Sequence, residues 1–211
     1  MAGSVCEQQQ ISGGFVQALL LVNAFFVGSV LMGFEMLGSR YLFPYFGGGI
    51  GTWAGLISTV LLALTLGYFA GGAVVDRHPS PRVIATCCGI AAAYLAVVPA
   101  SADPLMMGIM NDIGDGPSGI LLAAACLLLV PLSFLGTFSP VAVRLLLRST
   151  AETGRIAGMV YGVSTIGNIF GTLFTTFYLI PTIGSREITY VYAAVLALCA
   201  LSMLIVPRPR A

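Results

Sequence analysis

The sequence has no lysine, one histidine, one tryptophan, nine arginines and eight acids in 211 residues. Its 8% charged share stands against about 25% in ordinary soluble domains. Too little charge is present to cover a water-facing surface, so a soluble globular protein is excluded. The missing lysines and net charge of +1 likewise exclude a basic nucleic-acid-binding face. The lone His78 has no partner at ligand spacing. Cys6, Cys87, Cys88, Cys126 and Cys199 fall in the N-terminal tail or in apolar runs, without metal-ligand spacing. Neither a metal site nor a cofactor is expected.

What remains is apolar: 58% of residues are hydrophobic. A hydrocarbon layer of about 30 Å takes roughly 20 apolar residues per helix. Six such runs stand near Gly14 to Leu37, Ile50 to Val75, Val83 to Ala100, Ser118 to Phe138, Ile156 to Ile180 and Ile188 to Val206. The expected fold is therefore an all-α integral membrane protein, a six-transmembrane-helix bundle forming one membrane domain over 1–211. No remaining stretch approaches the ~50 residues of a soluble domain. The N-terminal stretch Met1 to Ser12 has no arginine or lysine and leads into a long apolar run, so it reads as a retained first span, not a signal peptide.

Arginine placement gives the expected orientation. Arg77, Arg82, Arg144, Arg148, Arg155, Arg208 and Arg210 share one side, against Arg40 and Arg186 on the other. Both termini are thus expected in the cytoplasm, with the chain in the cell's inner (plasma) membrane. Arg144, Arg148 and Arg155 are placed to hold that topology and touch anionic lipid.

Helices in lipid approach closely through small residues. Gly67 and Gly71 share a face of the second span, and Gly158, Gly162, Gly167 and Gly171 run through the fifth. These are expected helix-packing faces, within the bundle or against another subunit. Polar groups in spans are costly and mark candidate sites. Asn23 and Glu35 stand in the first span. In the fifth, Tyr161, Ser164, Thr165 and Asn168 recur at helical spacing, continued by Thr172 and Thr175. That stripe suits either a water-filled path or interhelical hydrogen bonding. Glu35, Asn23, Tyr161, Thr165 and Asn168 form the candidate substrate-binding set. Arg40 either neutralises Glu35, if the helix ends near Gly38, or leaves it to bind a cation or proton. Trp53, after a glycine-rich loop, fits an interfacial anchor, and without a lysine that loop is no phosphate cradle.

The run Gly67 to Asp76-Arg77 resembles the signature between the second and third helices of the major facilitator superfamily, with Pro79-Ser80-Pro81 standing before Arg82. Over most of its length the chain resembles the membrane domain of fused major-facilitator-like spermidine synthases. The resemblance lies in Glu35 to Gly51, Gly67 to Arg77, Phe138-Ser139-Pro140 with Arg144, and Gly154 to Gly184. Within the last, Tyr161 to Gly171 leads to Leu179-Ile-Pro181-Thr-Ile-Gly184. The resemblance implies half of a facilitator transporter, with Asp76 and Arg77 as a gate pair, needing a homodimer or other membrane subunit. It also implies association with a separate cytoplasmic aminopropyltransferase-like enzyme. The glycine-rich nucleotide turn of that enzyme is absent here, so no enzymatic activity is expected. The expected function is transport of a small solute, a polyamine or related metabolite. The alternative is a non-catalytic membrane subunit that anchors or regulates a partner.

Overall fold

Backbone amides in hydrocarbon have no water to bond, so charge-free apolar runs satisfy them within helices. In the computed structural model, which describes residues 2–147 and 152–206, six helices are long and apolar enough to cross a bilayer, and no strand forms among the described residues. They are α1 (Ala2–Phe46), α2 (Ile50–Arg77), α3 (Pro81–Asp112), α4 (Pro117–Leu146), α5 (Thr153–Thr182) and α6 (Ser185–Ile205). The chain is a multi-pass membrane protein. Arg148, Arg208 and Arg210, and the side chain of Cys6, lie outside what is described.

Local chemistry explains the helix ends. Gly47, at φ +68°, turns the chain after α1, and Gly114, at φ +91°, does so after α3; both need the left-handed region that glycine enters freely. Ser80 caps α3 by accepting from the Arg82 amide, and Pro81 opens the helix, where its missing N–H costs nothing.

Several boundaries depart from the sequence expectation. The first span does not stop near Gly38. A Cβ there would stand 3.2 Å from Leu56 and 3.3 Å from Leu128, so this glycine serves close packing against α2 and α4, not termination. The helix runs on through Arg40 to Phe46, and Arg40 is exposed with no ion pair to Glu35. Of the two readings of Arg40, the ion pair with Glu35 is therefore not formed. The third span continues through Pro99 and Pro104 to Asp112, so most of the loop expected from Ala102 to Pro117 is helix. Asp103, on that extension, pairs with Arg186 at the start of α6. Both side chains are more than half exposed, so solvent screens the pair. Arg186→Ala is expected to lower stability by less than ~1 kcal/mol in a thermal melt.

Consecutive helices are not the main packing partners. The most extensive contacts join α1 to α5, α3 to α6, and α2 to α4. From Val27 to Leu42, α1 is buried almost all round and occupies the centre of the bundle. On the α2–α4 seam, a Cβ on Gly67 would lie 2.9 Å from the Gly136 Cα, and one on Gly71 2.8 Å from the Thr137 Cα.

Two helices contain a π-helical stretch, Ala125–Leu129 in α4 and Thr175–Leu179 in α5. Each ends two residues before a proline, Pro131 or Pro181. Proline lacks an N–H and its ring clashes with the preceding turn, which a wider turn accommodates. The Tyr94 hydroxyl donates to the Cys126 carbonyl inside the first stretch, and Thr182 Oγ1 donates to the Tyr178 carbonyl in the second at 2.6 Å.

Candidate functional site: a polar cleft against the central helix

The site is set by the α1–α5 seam. Gly167 lies against the backbone of Phe25, Gly171 against that of Ser29, and Thr175 beside Gly33. The four-residue step is shared, so the helices run parallel and in register. Extending that register places Glu35 at the level of Thr176 and Phe177. Thr175 donates to the Gly171 carbonyl and shares a hydrogen bond with the Tyr192 hydroxyl of α6, filling the space that Gly33 leaves.

At the edge of this seam, one face of α1 still meets α5 and then leads on toward α2 and α4. Gly28 is on it, where an added Cβ would stand 2.8 Å from Asn168 Oδ1. Next to it is a small cavity of about 30 Å³, lined by Leu31 of α1, Tyr68 of α2, Ser139 of α4, and Ser164 and Asn168 of α5. Asn168 Oδ1 is buried and has no hydrogen-bond partner among the described residues; Thr176 Oγ1 is in the same condition. Buried acceptors without partners are uncommon in folded proteins, and each calls for an explanation. Glu35, one helical turn beyond Leu31 on the same face of α1, is only 7% exposed. It makes no hydrogen bond or ion pair with the described residues.

The other candidates are distributed elsewhere. Asn23 is buried on a different side of α1, where its Nδ2 donates to the Leu19 carbonyl at 2.8 Å and to Ser202 Oγ of α6 at 3.1 Å. It joins two helices. Removing it with Asn23→Val is expected to cost roughly 1 kcal/mol in a melt, the scale of an interhelical hydrogen bond in lipid, and to leave solute binding unchanged. Tyr161 and Thr165 are exposed on the outer side of α5, where Thr165 donates to the Tyr161 carbonyl at 2.8 Å. The stripe thus splays: Ser164 and Asn168 face the cleft, Tyr161 and Thr165 face outward, and Thr175 faces α6. Gly158 and Gly162 are exposed, with nothing within 4 Å of where a Cβ would stand.

Trp53 is partly exposed at the start of α2. Asp76 and Arg77 are exposed at its other end, with no ion pair among the described residues, and Arg144 is exposed near the end of α4. Arg155 pairs with Glu152 at 3.1 Å.

The sequence reading did not single out Gly28 or Gly33, and it used Ser139 only within the Phe138-Ser139-Pro140 resemblance. Gly28 had a usable signal: it precedes Glu35 by two helical turns and so shares its face.

Among known proteins, the chain matches no family, no curated protein and no solved structure.

Proposed function

We propose that this chain is a small-solute transporter-like membrane protein whose path follows the cleft between α1, α2, α4 and α5. The observation that carries the reading is Glu35. It is an acid within a membrane span, 7% exposed, with no hydrogen bond or ion pair among the described residues, one helical turn beyond the Leu31 that lines the Asn168 cavity. An intramembrane ionisable group is expensive and is a functional candidate by default. The cargo proposed is a polyamine or related metabolite. The half-facilitator likeness, inner-membrane placement and cytoplasmic termini belong to the same proposal.

Burial supports an open side to the cleft. Only 28% of the apolar stretch of α2 and 17% of that of α5 are buried, against 44–50% in the other four helices. These are the two helices that flank the cavity, so a second copy or another membrane subunit would approach along them. A cytoplasmic aminopropyltransferase-like enzyme is the soluble partner proposed.

Purified protein in proteoliposomes is expected to accumulate labelled putrescine or spermidine above empty vesicles, with amino acids and nucleosides as comparison solutes. Well-folded protein that accumulates none of them would overturn the reading. The alternative, a non-catalytic subunit that anchors or regulates another protein, draws on one observation: Gly158 and Gly162 leave an open small-residue strip on the exposed side of α5. Its test is co-purification from native membranes.

A further inference from the structure

We infer that the partner along α2 and α5 is a second copy of this chain, related by a two-fold axis along the bilayer normal, so that α2 of each copy packs on α5 of the other; this names the membrane partner of the transport reading and rests on it. On α2, Thr65, Tyr68 and Gly72 fall within one narrow face, and on α5 so do Gly158, Tyr161 and Thr165. The tyrosines, the threonines and Gly158 are exposed, and a Cβ on Gly72 or Gly158 would have nothing within 4 Å. Tyr68 shares a cavity with Ser164 and Asn168 of α5, so α2 and α5 stand side by side on one flank of the protein.

The two faces match level by level. With two spans between them, the end of α2 and the start of α5 lie on the same side of the membrane, so depth can be counted from Arg77 and from Thr153. Gly72 and Gly158 each stand five residues in, Tyr68 nine and Tyr161 eight, and Thr65 and Thr165 twelve each. At 1.5 Å per residue these levels are roughly 8, 13 and 18 Å deep. Within one copy Tyr68 and Tyr161 lie in electrostatic reach of each other, which holds the two rows at a common level.

An isologous interface sets residue i against j and j against i, and an axis along the normal preserves depth. Rows of the same residue types at the same depth therefore meet. Glycine on glycine permits close approach of the helices. The Tyr68 and Tyr161 hydroxyls make no hydrogen bond among the described residues, and hydrocarbon offers them none. A phenol both donates and accepts, so a phenol of the second copy completes it. Thr65 and Thr165 already bond back to their own helices at 2.8 Å. An unrelated subunit would have to carry this order of residues independently, whereas a second copy brings it.

The test uses two full-length chains with different affinity tags, one carrying Thr65→Cys and the other Thr165→Cys, co-expressed and oxidised in the membrane. A disulfide-linked band carrying both tags is expected. Thr165→Cys paired with Leu198→Cys, exposed on α6, should give none. Light scattering of the wild-type chain in detergent should return two protomers. Gly72→Phe should weaken association at least roughly tenfold while helical melting stays nearly unchanged, because its bulk is added outside the bundle. The crosslink needs no bulky variant, so the inference stays testable if Gly72→Phe does not fold. A monomeric wild-type chain, equal crosslinking at Leu198, or undiminished association of folded Gly72→Phe would each overturn the interface. A different protein found on α5 in place of the second copy would overturn it as well and favour the anchoring alternative. Dimers without uptake of any solute support the interface and remove the transport reading; uptake by a monomer does the reverse.

Discussion

Gly171→Val is expected to disrupt the bundle, while Gly158→Val leaves its melting almost unchanged. At Gly171 the first added carbon meets the main chain of α1: the Ser29 Cα and carbonyl carbon lie 2.6 Å from where it would stand. A flexible side chain could move aside, but helix backbone cannot without opening the seam. Overpacking a core typically costs about 1–3 kcal/mol. Displacing the central helix from its main partner places this variant at or above the upper end. Gly167→Val meets the Phe25 backbone in the same way. Gly158 faces open space, so added bulk there clashes with nothing. Thermal unfolding followed by helical circular dichroism separates the two cases, and equal melting of the Gly171 and Gly158 variants would refute the α1–α5 register.

Glu35→Gln is expected to slow uptake sharply while holding or raising the melting temperature. Those two readouts rarely move apart for a purely structural residue. An acid in a largely buried, apolar setting carries a desolvation cost when ionised, which a neutral amide does not. If the same carboxylate balances a cation in the path, its loss slows transport by at least roughly tenfold, equivalent to about 1.4 kcal/mol in the barrier. Glu35→Asp should keep part of the activity, since charge is retained and only reach is lost. Arg40→Gln should leave uptake unchanged, because Arg40 forms no ion pair with Glu35. Wild-type uptake by folded Glu35→Gln would remove Glu35 from the path.

The helices themselves were readable because charge-free apolar runs have one stable state in hydrocarbon. Their ends were less so. Gly38 illustrates why: glycine is favoured both where a helix stops and where another helix comes close, and only the positions of Leu56 and Leu128 decide between these. The third span runs past its expected end at Ala100, through Pro104 to Asp112, because a span can carry proline when neighbouring helices support it. Four-residue glycine spacing told of close approach without naming the partner, and so could not separate Gly167 and Gly171 from the outward Gly158 and Gly162. Among the polar residues of α5, spacing grouped Tyr161, Thr165 and Asn168 together. What separates Asn168 is burial against Gly28, a property of the α1–α5 pairing and not of either helix alone.

The wide turn of α5 gives that helix a movable joint. It begins at Thr175, just past the glycines that lock onto α1, and Pro181 stands two residues beyond its end. A π turn holds one residue more than an α turn, so shifting it by one position rotates the residue it passes by about 100°. Proline bars such a shift at one end, and the glycine seam holds the helix at the other. Thr176 therefore sits where azimuth can change while both flanking anchors stay fixed.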